Sequence, residues 1–162
     1  MSKLLPIENI VFKTKLSKEQ AVQRLKENIE AKKTFGFGNY SKPYIGQITG
    51  YNFEIERAIN YRNSFLPQIK GNVYSEPGGT RINVKMMPVV YVLFFMAIWF
   101  GGVILGCLAM LFILFTEGFT QFVFLPFIML VFGVGLLYGA FKTESSKSKK
   151  DLMRILEAEI EQ

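Results

Sequence analysis

The sequence predicts an α+β membrane protein, with a small antiparallel sheet, one N-terminal helix, a transmembrane helical hairpin and a C-terminal amphipathic helix. Three observations lead to this fold class. Residues 1–87 alternate between apolar and polar side chains in short segments, two long uncharged stretches follow, and an amphipathic segment comes last. We therefore divide the chain into a domain at 1–87, a hairpin at 88–141 and a C-terminal helix at 142–162.

The N-terminal domain opens with a strand followed by a helix. Residues 8–16 place apolar side chains on one side and lysines on the other, which is typical of a half-buried strand. Ser17 and Gln20 then form a capping-box pattern, in which the serine accepts from a first-turn amide while the glutamine reaches back. The helix that follows is predicted to end near Lys33, before a glycine-rich stretch.

Further strand segments precede the first long apolar run. Residues 44–59 alternate, with a turn or bulge at Gly50, and residues 66–74 form the next strand. Residues 76–79 (Glu-Pro-Gly-Gly) are typical of a turn, and residues 81–86 alternate again. The expected order is β-α-β-β-β-β, an antiparallel meander with the helix on its apolar face.

Two long stretches without a charged residue follow the domain. The first, 88–115, contains 28 residues and the second, 119–141, contains 23. A helix needs about 20 apolar residues to cross the ~30 Å hydrocarbon core of a bilayer, so each stretch is long enough to span it. The start of the chain lacks the apolar core and cleavage site of a signal peptide, so we expect the first span to act as an uncleaved insertion signal.

The charge distribution predicts the orientation of the spans. Residues 1–87 carry 14 Lys and Arg against 7 Asp and Glu, a net charge of +7, and four lysines follow the second span. Only residues 116–118 lie between the spans. This bias places both termini in the cytoplasm and the short turn outside. Because the topology explains the overall charge of +6, we expect no nucleic-acid partner.

The segment after the second span is predicted to be loose at first and then helical. Residues 142–150 are polar, and Ser148 with Asp151 offers a helix N-cap. The apolar stripe of this helix consists of Leu152, Ile155, Leu156 and Ile160. We expect the stripe to pack on the protein's own sheet, and a partner surface is the alternative.

The residue inventory leaves little room for catalysis. The chain has no histidine, which removes the commonest acid–base group and the commonest metal ligand. Its one cysteine, Cys107, lies within the first span, where it can form neither a thiolate–imidazole pair nor a disulfide within the chain. Glu54 and Glu56 share a strand face and could hold a hard cation, although a solvated outer face is the favoured interpretation. We expect no enzyme, no cofactor and no metal site.

The stretch 61–72 (YRNSFLPQIKGN) groups several hydrogen-bonding side chains between strand segments. Arg62, Asn63 and Ser64 lie between two strand segments, and Asn and Ser favour turns because their side chains bond to nearby backbone. The same residues, with Lys70, could instead hold a lipid phosphate or a carboxylate of a protein partner, because a guanidinium fork fits either group. Both interpretations, a turn or a binding site, stay open at this point.

Small residues four positions apart recur in both spans. Gly102 and Gly106 lie in the first span, and Gly135 and Gly139 lie in the second. Such spacing makes a flat groove along which two helices approach closely in lipid. Because a connection of about three residues forces the spans to be antiparallel neighbours, we expect the two grooves to pack on each other. Contact between the chains of a homo-oligomer is the alternative.

The glycine-rich stretch 34–40 (TFGFGNY) follows a helix. A phosphate-binding loop would instead lead into a helix, so the stretch is interpreted as a helix-ending loop. Phe35, Phe37, Tyr40 and, beyond the stretch, Tyr44 either dip into the lipid headgroups or pack within the domain.

Four segments carry a resemblance to known proteins. They are F-E-I-E-R, I-N-Y-R-N-S-F-L-P-Q-I-K-G, G-G-T-R-I-N-V-K-M and the membrane segment W-F-G-G, within residues 44–106. These residues resemble small bacterial two-span membrane proteins with a cytoplasmic α+β domain and no assigned activity. The resemblance implies a protein of the bacterial inner (cytoplasmic) membrane. A fold-level similarity to bacterial pleckstrin-homology-type domains on membrane hairpins is weakened by the helix after the first strand.

Together these features predict a non-enzymatic membrane protein whose cytoplasmic domain recruits a protein partner or an anionic membrane lipid. The alternative is an oligomerising membrane effector, of the toxin or defence type, that assembles through its glycine-rich spans. An enzyme acting on lipid is the weakest hypothesis, because the acid–base groups are so few.

Overall fold

The computed structural model describes residues 6–33, 40–119 and 121–161 of the chain. This part is an α+β protein with a seven-stranded mixed sheet and three helices, two of them long and apolar. In chain order the elements are β1 (Glu8–Thr14), α1 (Lys18–Asn28), β2 (Ile29–Glu30), β3 (Tyr44–Thr49), β4 (Asn52–Arg57), β5 (Pro67–Glu76), β6 (Gly79–Pro88), α2 (Val90–Thr116), α3 (Leu125–Leu156) and β7 (Ala158–Ile160).

The sheet has the strand order β2-β3-β4-β5-β6-β1-β7. Its neighbours pair antiparallel, except that β2 runs parallel to β3. The predicted meander from β3 to β6 is confirmed, and β1 closes back against β6 with Phe12 opposite Ile82. The short edge strands β2 and β7 were not predicted, because two or three residues are too few to show an alternating pattern.

One face of the sheet carries the hydrophobic core. Phe12, Ile69, Ile82 and Met86 lie on this inner face and are fully buried. Helix α1 covers them with Ala21, Val22 and Leu25, and the last turns of α3 add Leu152, Ile155 and Leu156. The predicted packing of the C-terminal stripe on the protein's own sheet is therefore confirmed for these three residues. Ile160 instead belongs to β7 and remains 39% exposed.

Helix α1 begins as predicted and ends earlier than predicted. The amide of Gln20 donates to Ser17 Oγ over 3.2 Å, and the amide of Ser17 donates to Gln20 Oε1 over 2.8 Å, which completes the capping box. The helix ends at Asn28 rather than near Lys33, because Ile29 pairs with Tyr44 in β3. Lys42 Nζ donates to the carbonyls of Lys26 and Ile29 and so satisfies orphan acceptors at this helix end.

Helix α3 corrects the predicted loose segment at 142–150. It runs as one helix of 32 residues from the apolar hairpin into the core of the domain. Ser145 and Ser148 are fully buried, and their hydroxyls donate to the carbonyls of Lys142 and Glu144 in the preceding turn. The hydroxyl of each serine thus has a hydrogen-bond partner within α3, and neither serine caps a new helix. The helix ends at Leu156, and the C-cap residue Glu157 adopts the left-handed conformation with φ of 46°.

The two long helices form an antiparallel pair joined by residues 117–124, a longer connection than the three residues predicted. The buried positions of α2 repeat at Val92, Met96, Val103 and Cys107, which is the spacing of one helix face. The face of α3 that meets α2 includes Gly133 and Leu137. A side-chain Cβ at Gly133 would collide with the indole of Trp99, so this glycine permits the close approach.

Most of the surface of the hairpin faces away from the rest of the protein. Both helices are long and apolar enough to cross a membrane. In the most apolar 18-residue segment of each helix, only 11% of the residues of α2 and 22% of those of α3 are buried. The residues before and after the hairpin build one sheet, because β7 pairs with β1. The two ends of the described chain therefore lie on the same side of the hairpin.

Candidate functional site

The loop between β4 and β5, residues 58–66, is one of the parts of the domain that meet the hairpin. It ends where Pro67 lies opposite Pro88 in the sheet, immediately before α2 begins. Phe65 packs against the cluster formed by Val92, Met96 and Leu137 of the two long helices. This β4–β5 loop contains three of the four binding residues predicted from the sequence.

Asn63 closes the turn within the β4–β5 loop. Its side-chain Oδ1 accepts from the amide of Phe65 over 3.0 Å, and its carbonyl accepts from the amide of Leu66 over 3.2 Å. This is the local bonding for which asparagine is favoured in turns. The side-chain oxygen of Asn63 is therefore engaged, and the turn interpretation describes this residue.

Arg62 and Ser64 lie on either side of that turn, and both are exposed. Neither side chain makes a hydrogen bond or an ion pair with the residues that the structure describes. Their donor groups are consequently free to meet a ligand. The loop thus supplies one free hydroxyl, at Ser64 near Tyr91 of α2, and one free guanidinium two residues before it in the chain.

Lys70 lies on the outer face of the sheet rather than in the loop. Its Nζ is 3.1 Å from Oε1 of Glu54 in the neighbouring strand, and the same oxygen accepts from Gln68 Nε2 over 2.6 Å. Glu56 pairs with Lys32 over 3.0 Å. The carboxylates of Glu54 and Glu56 are thus engaged by cations, and no group of three potential metal ligands occurs in the described ranges.

A buried carboxylate holds the β4–β5 loop against α3. Glu144 is only 3% exposed, and it accepts from Tyr61 Oη at 2.5 Å, Lys147 Nζ at 2.9 Å and Arg57 Nη1 at 3.1 Å. Arg57 also reaches Asp151 over 3.4 Å. Burial opposes ionisation of Glu144, but the Tyr61 hydroxyl and the two cations together lower the pKa of its carboxyl group.

A second carboxylate fixes the other flank of α3. Glu8 at the start of β1 accepts from Lys142 Nζ over 2.8 Å and from Ser145 Oγ over 3.2 Å, and it pairs with Lys149. Burial works against ionisation here too, yet the two lysines lower the pKa of the Glu8 carboxyl group. Neither carboxylate was predicted, because Arg57 and Tyr61 lie more than 80 residues from Glu144, and the partners of Glu8 lie more than 130 residues from it.

A groove of about 530 Å³ opens between the β4–β5 loop and the outward faces of α2 and α3. Ser64 and Phe65 line it on the loop side, and Tyr91 and Trp99 line it on α2. Helix α3 contributes mainly apolar atoms, including those of Leu136. The free hydroxyl of Ser64 therefore lies at the edge of an apolar groove.

The predicted glycine grooves do not pack on each other within the hairpin. An added Cβ would meet no atom within 4 Å at Gly102, Gly135 or Gly139, whereas at Gly106 it would contact Pro126 at 3.6 Å. Only one face of each helix can meet its neighbour, and the bulky indole of Trp99 requires Gly133 opposite it. Gly102, Gly135 and Gly139 therefore face outward.

Of the aromatic residues in and near the glycine-rich stretch, the structure describes Tyr40 and Tyr44. Phe35 and Phe37, with the rest of 34–39, lie outside the described residues. Tyr40 is half-buried, and its ring lies 5.0 Å from Nζ of Lys33. Tyr44 packs within the domain, since it is 1% exposed and donates to the carbonyl of Ser148 over 3.4 Å. Burial raises the pKa of its hydroxyl.

Comparison of the chain with protein-family models, with curated proteins and with solved structures finds no match in any of the three.

Proposed function

We propose that this chain is a non-enzymatic integral membrane protein of the bacterial inner membrane, with both termini in the cytoplasm. Its α+β domain serves as a binding module that recruits a protein partner or an anionic lipid at the membrane surface. The observation that carries this proposal is the pair of free donors in the β4–β5 loop, Ser64, which lines a groove with Tyr91 at the start of α2, and Arg62, which is exposed two residues before it. A guanidinium group at the membrane surface suits a phosphate or a carboxylate.

Three features support insertion in this orientation. The two long helices present most of their apolar surface outward, which is costly in water and favourable in lipid. The residues that flank the hairpin fold into one domain, so they lie on one side of it. The net charge of +7 on residues 1–87 favours the cytoplasmic side.

The carboxylates of the domain support a binding role rather than proton transfer. Glu144 and Glu8 are each held by several donors that favour the ionised form. A general base instead needs a pKa near the working pH, and the histidine that most often supplies it does not occur in the chain. These groups position the β4–β5 loop and α3.

Substitution of Arg62 tests the proposal. In membranes that contain the full chain, Arg62→Ala should weaken ligand recovery about fivefold or more, because one arginine near an anionic group contributes roughly 1 kcal/mol. Crosslinking followed by mass spectrometry of the bound protein or lipid measures this recovery. The unfolding temperature should stay unchanged, since Arg62 has no partner among the described residues.

Lys15→Ala is the matched control. Lys15 is also exposed, but it follows β1 at the end of the sheet that is remote from the hairpin, so its removal should leave ligand recovery unchanged. Equal recovery with Arg62→Ala and wild type would exclude the β4–β5 loop as the binding site.

An oligomerising membrane effector is the second candidate function. The observation in its favour is that Gly102, Gly135 and Gly139 face outward with open space above them, so that a helix of another chain can approach. A protein that stays strictly monomeric in lipid would exclude this function.

A further inference from the structure

The groove beside the β4–β5 loop lies along the first turns of α2. Tyr91, Phe95 and Trp99 line it at successive turns of that helix, and Phe132 and Leu136 line the facing part of α3. These α2 positions begin directly after Pro88, where the sheet ends. The groove therefore extends from the level of the loop toward the interior of the proposed membrane.

The groove is shaped for an apolar occupant. Its walls are aromatic and aliphatic, and Tyr91, Phe95 and Phe132 are each more than 60% exposed on the outer side. The contact between Trp99 and Gly133 closes its floor. Its volume of about 530 Å³ falls within the roughly 300–1,000 Å³ that small-molecule sites occupy.

The loop side of the groove is polar and is followed, two residues back along the chain, by an exposed arginine. Ser64 lines this side, and Arg62 is the exposed arginine. The nearby carboxylates are already shared, because Glu144 binds Arg57 and Lys147 while Asp151 binds Arg57 and Arg154. Arg62 has no carboxylate partner in the described part of the chain, so an anion completes this end of the site.

The geometry points to a site for one anionic phospholipid of the cytoplasmic leaflet, with its phosphate at Arg62 and Ser64 and an acyl chain in the groove. This inference rests on the proposed function and names the ligand of the same loop. A lipid fits better than a protein segment, because the groove continues below the loop along helices whose other faces are apolar. A protein partner would engage the charged loop and leave the groove to bulk lipid.

The single tryptophan of the chain gives a direct readout, because Trp99 lines the groove. The full chain is reconstituted in phosphatidylcholine vesicles that contain a minor fraction of phosphatidylglycerol, and bromine is placed on the acyl chains of one lipid at a time. Bromine quenches tryptophan fluorescence only at contact. At equal mole fraction, brominated phosphatidylglycerol should be enriched about fivefold at Trp99 relative to brominated phosphatidylcholine.

Two pairs of variants sharpen the test. Arg62→Ala should abolish the preference for phosphatidylglycerol, whereas Lys15→Ala should retain it. Leu136→Phe should fill the groove and reduce quenching by both lipids, whereas Val131→Phe, on an exposed part of α3 outside the groove, should not. A preference that follows this pattern supports the lipid site.

Other results overturn the inference in distinguishable ways. Equal quenching by the two lipids in the wild type would mean that only bulk lipid fills the groove. If the two lipids quench equally and Arg62→Ala nevertheless loses a crosslinked protein partner, the proposed function stands and the lipid site is refuted. Absence of quenching by either lipid, with the chain resistant to extraction from the vesicles, would show that protein covers the groove. A chain that fails to insert would refute the proposed function itself.

Discussion

Glu144 connects three parts of the molecule through one carboxylate. It lies on α3 just beyond the apolar part, and its partners come from β4, from the β4–β5 loop and from its own helix. With 3% of its surface exposed, it depends on those donors to remain ionised. The position of the loop that carries Arg62 and Ser64 is therefore coupled to the charge of this residue.

Glu144→Gln should destabilise the domain by about 3 kcal/mol at neutral pH. Breaking a buried ion pair by removing one partner costs roughly 3–5 kcal/mol, and the lower end applies because Arg57 remains 21% exposed and the amide keeps some hydrogen bonds. Unfolding of the purified full chain in detergent, followed by circular dichroism, measures the loss. Glu54→Gln, at a surface pair, is the control and should cost less than about 1 kcal/mol.

Glu144→Gln should also weaken the dependence of the domain's stability on pH in the acidic range. The pKa of Glu144 is lowered in the folded protein, so its contribution is complete above the ordinary value of 4.5 and is lost as pH falls through the lower folded-state value. Wild-type protein should thus lose stability in that acidic range, and Glu144→Gln should lose less of it. Equal slopes for the two proteins would show that Glu144 is not ionised in the fold.

Residue types were only partly sufficient to predict the site. The turn role of Asn63 follows from its chemistry, and the exposure of Arg62 and Ser64 fits a binding role. Nothing in the sequence paired Tyr61 or Arg57 with Glu144, because more than 80 positions separate each of them from it. Lys70 was grouped with the loop by proximity in sequence, although strand pairing assigns it to Glu54.

Helix α3 is the element that joins the hairpin to the domain. Its buried face runs continuously from Gly133 and Leu137, which meet α2, to Leu152 and Ile155, which meet the sheet. One rigid helix thus has two different partners along a single stripe.

Insertion of one alanine after Thr143 should disrupt the domain. The extra residue rotates everything beyond it by about 100° and moves Leu152 and Ile155 off the sheet. Limited proteolysis of the full chain should then cleave within residues 1–87, where the wild type should resist because its core is intact. A loose linker at 142–150 would tolerate the insertion, so an unchanged protease pattern would contradict the continuous helix.

The same insertion after Gly118 provides the control. Gly118 lies in the connection between the two long helices, where an added Cβ meets open space and the chain has room to adjust. We expect this variant to keep the protease resistance of the wild type.

Elements with a clear period were predictable, and those without one were not. Strands β1 and β4–β6 alternate apolar and polar residues, and the capping box of α1 is a pattern of neighbouring residues. Both signals are local and can therefore be recognised in the sequence. The polar segment 142–150 suggested a loop, because the sequence does not show that its serines are buried and satisfy themselves within the helix.

At the scale of the whole molecule, the domain sits directly on the hairpin. Strand β6 ends at Pro88 and α2 begins at Val90, while α3 passes without a break into the core. Because β7 pairs with β1, both ends of the described chain lie on one side of the hairpin, and the charge pattern predicts that this side is cytoplasmic. The rotation of the spans about their axes was not predictable, since their faces are all apolar and nothing in the pattern distinguishes Gly133 from Gly135.

The outward glycines provide the last test, which concerns assembly. Gly102→Leu combined with Gly135→Leu should leave insertion and folding intact, because both positions have open space and leucine favours a helix more than glycine does. Gly133→Leu should instead destabilise the hairpin, because the new side chain meets Trp99. Crosslinking in membranes and native mass spectrometry then report the oligomeric state. If wild-type chains associate and the double variant is monomeric, the outward grooves join neighbouring chains, as the effector function requires. A double variant that misfolds like Gly133→Leu would place these glycines inside the hairpin, against the open space observed around them.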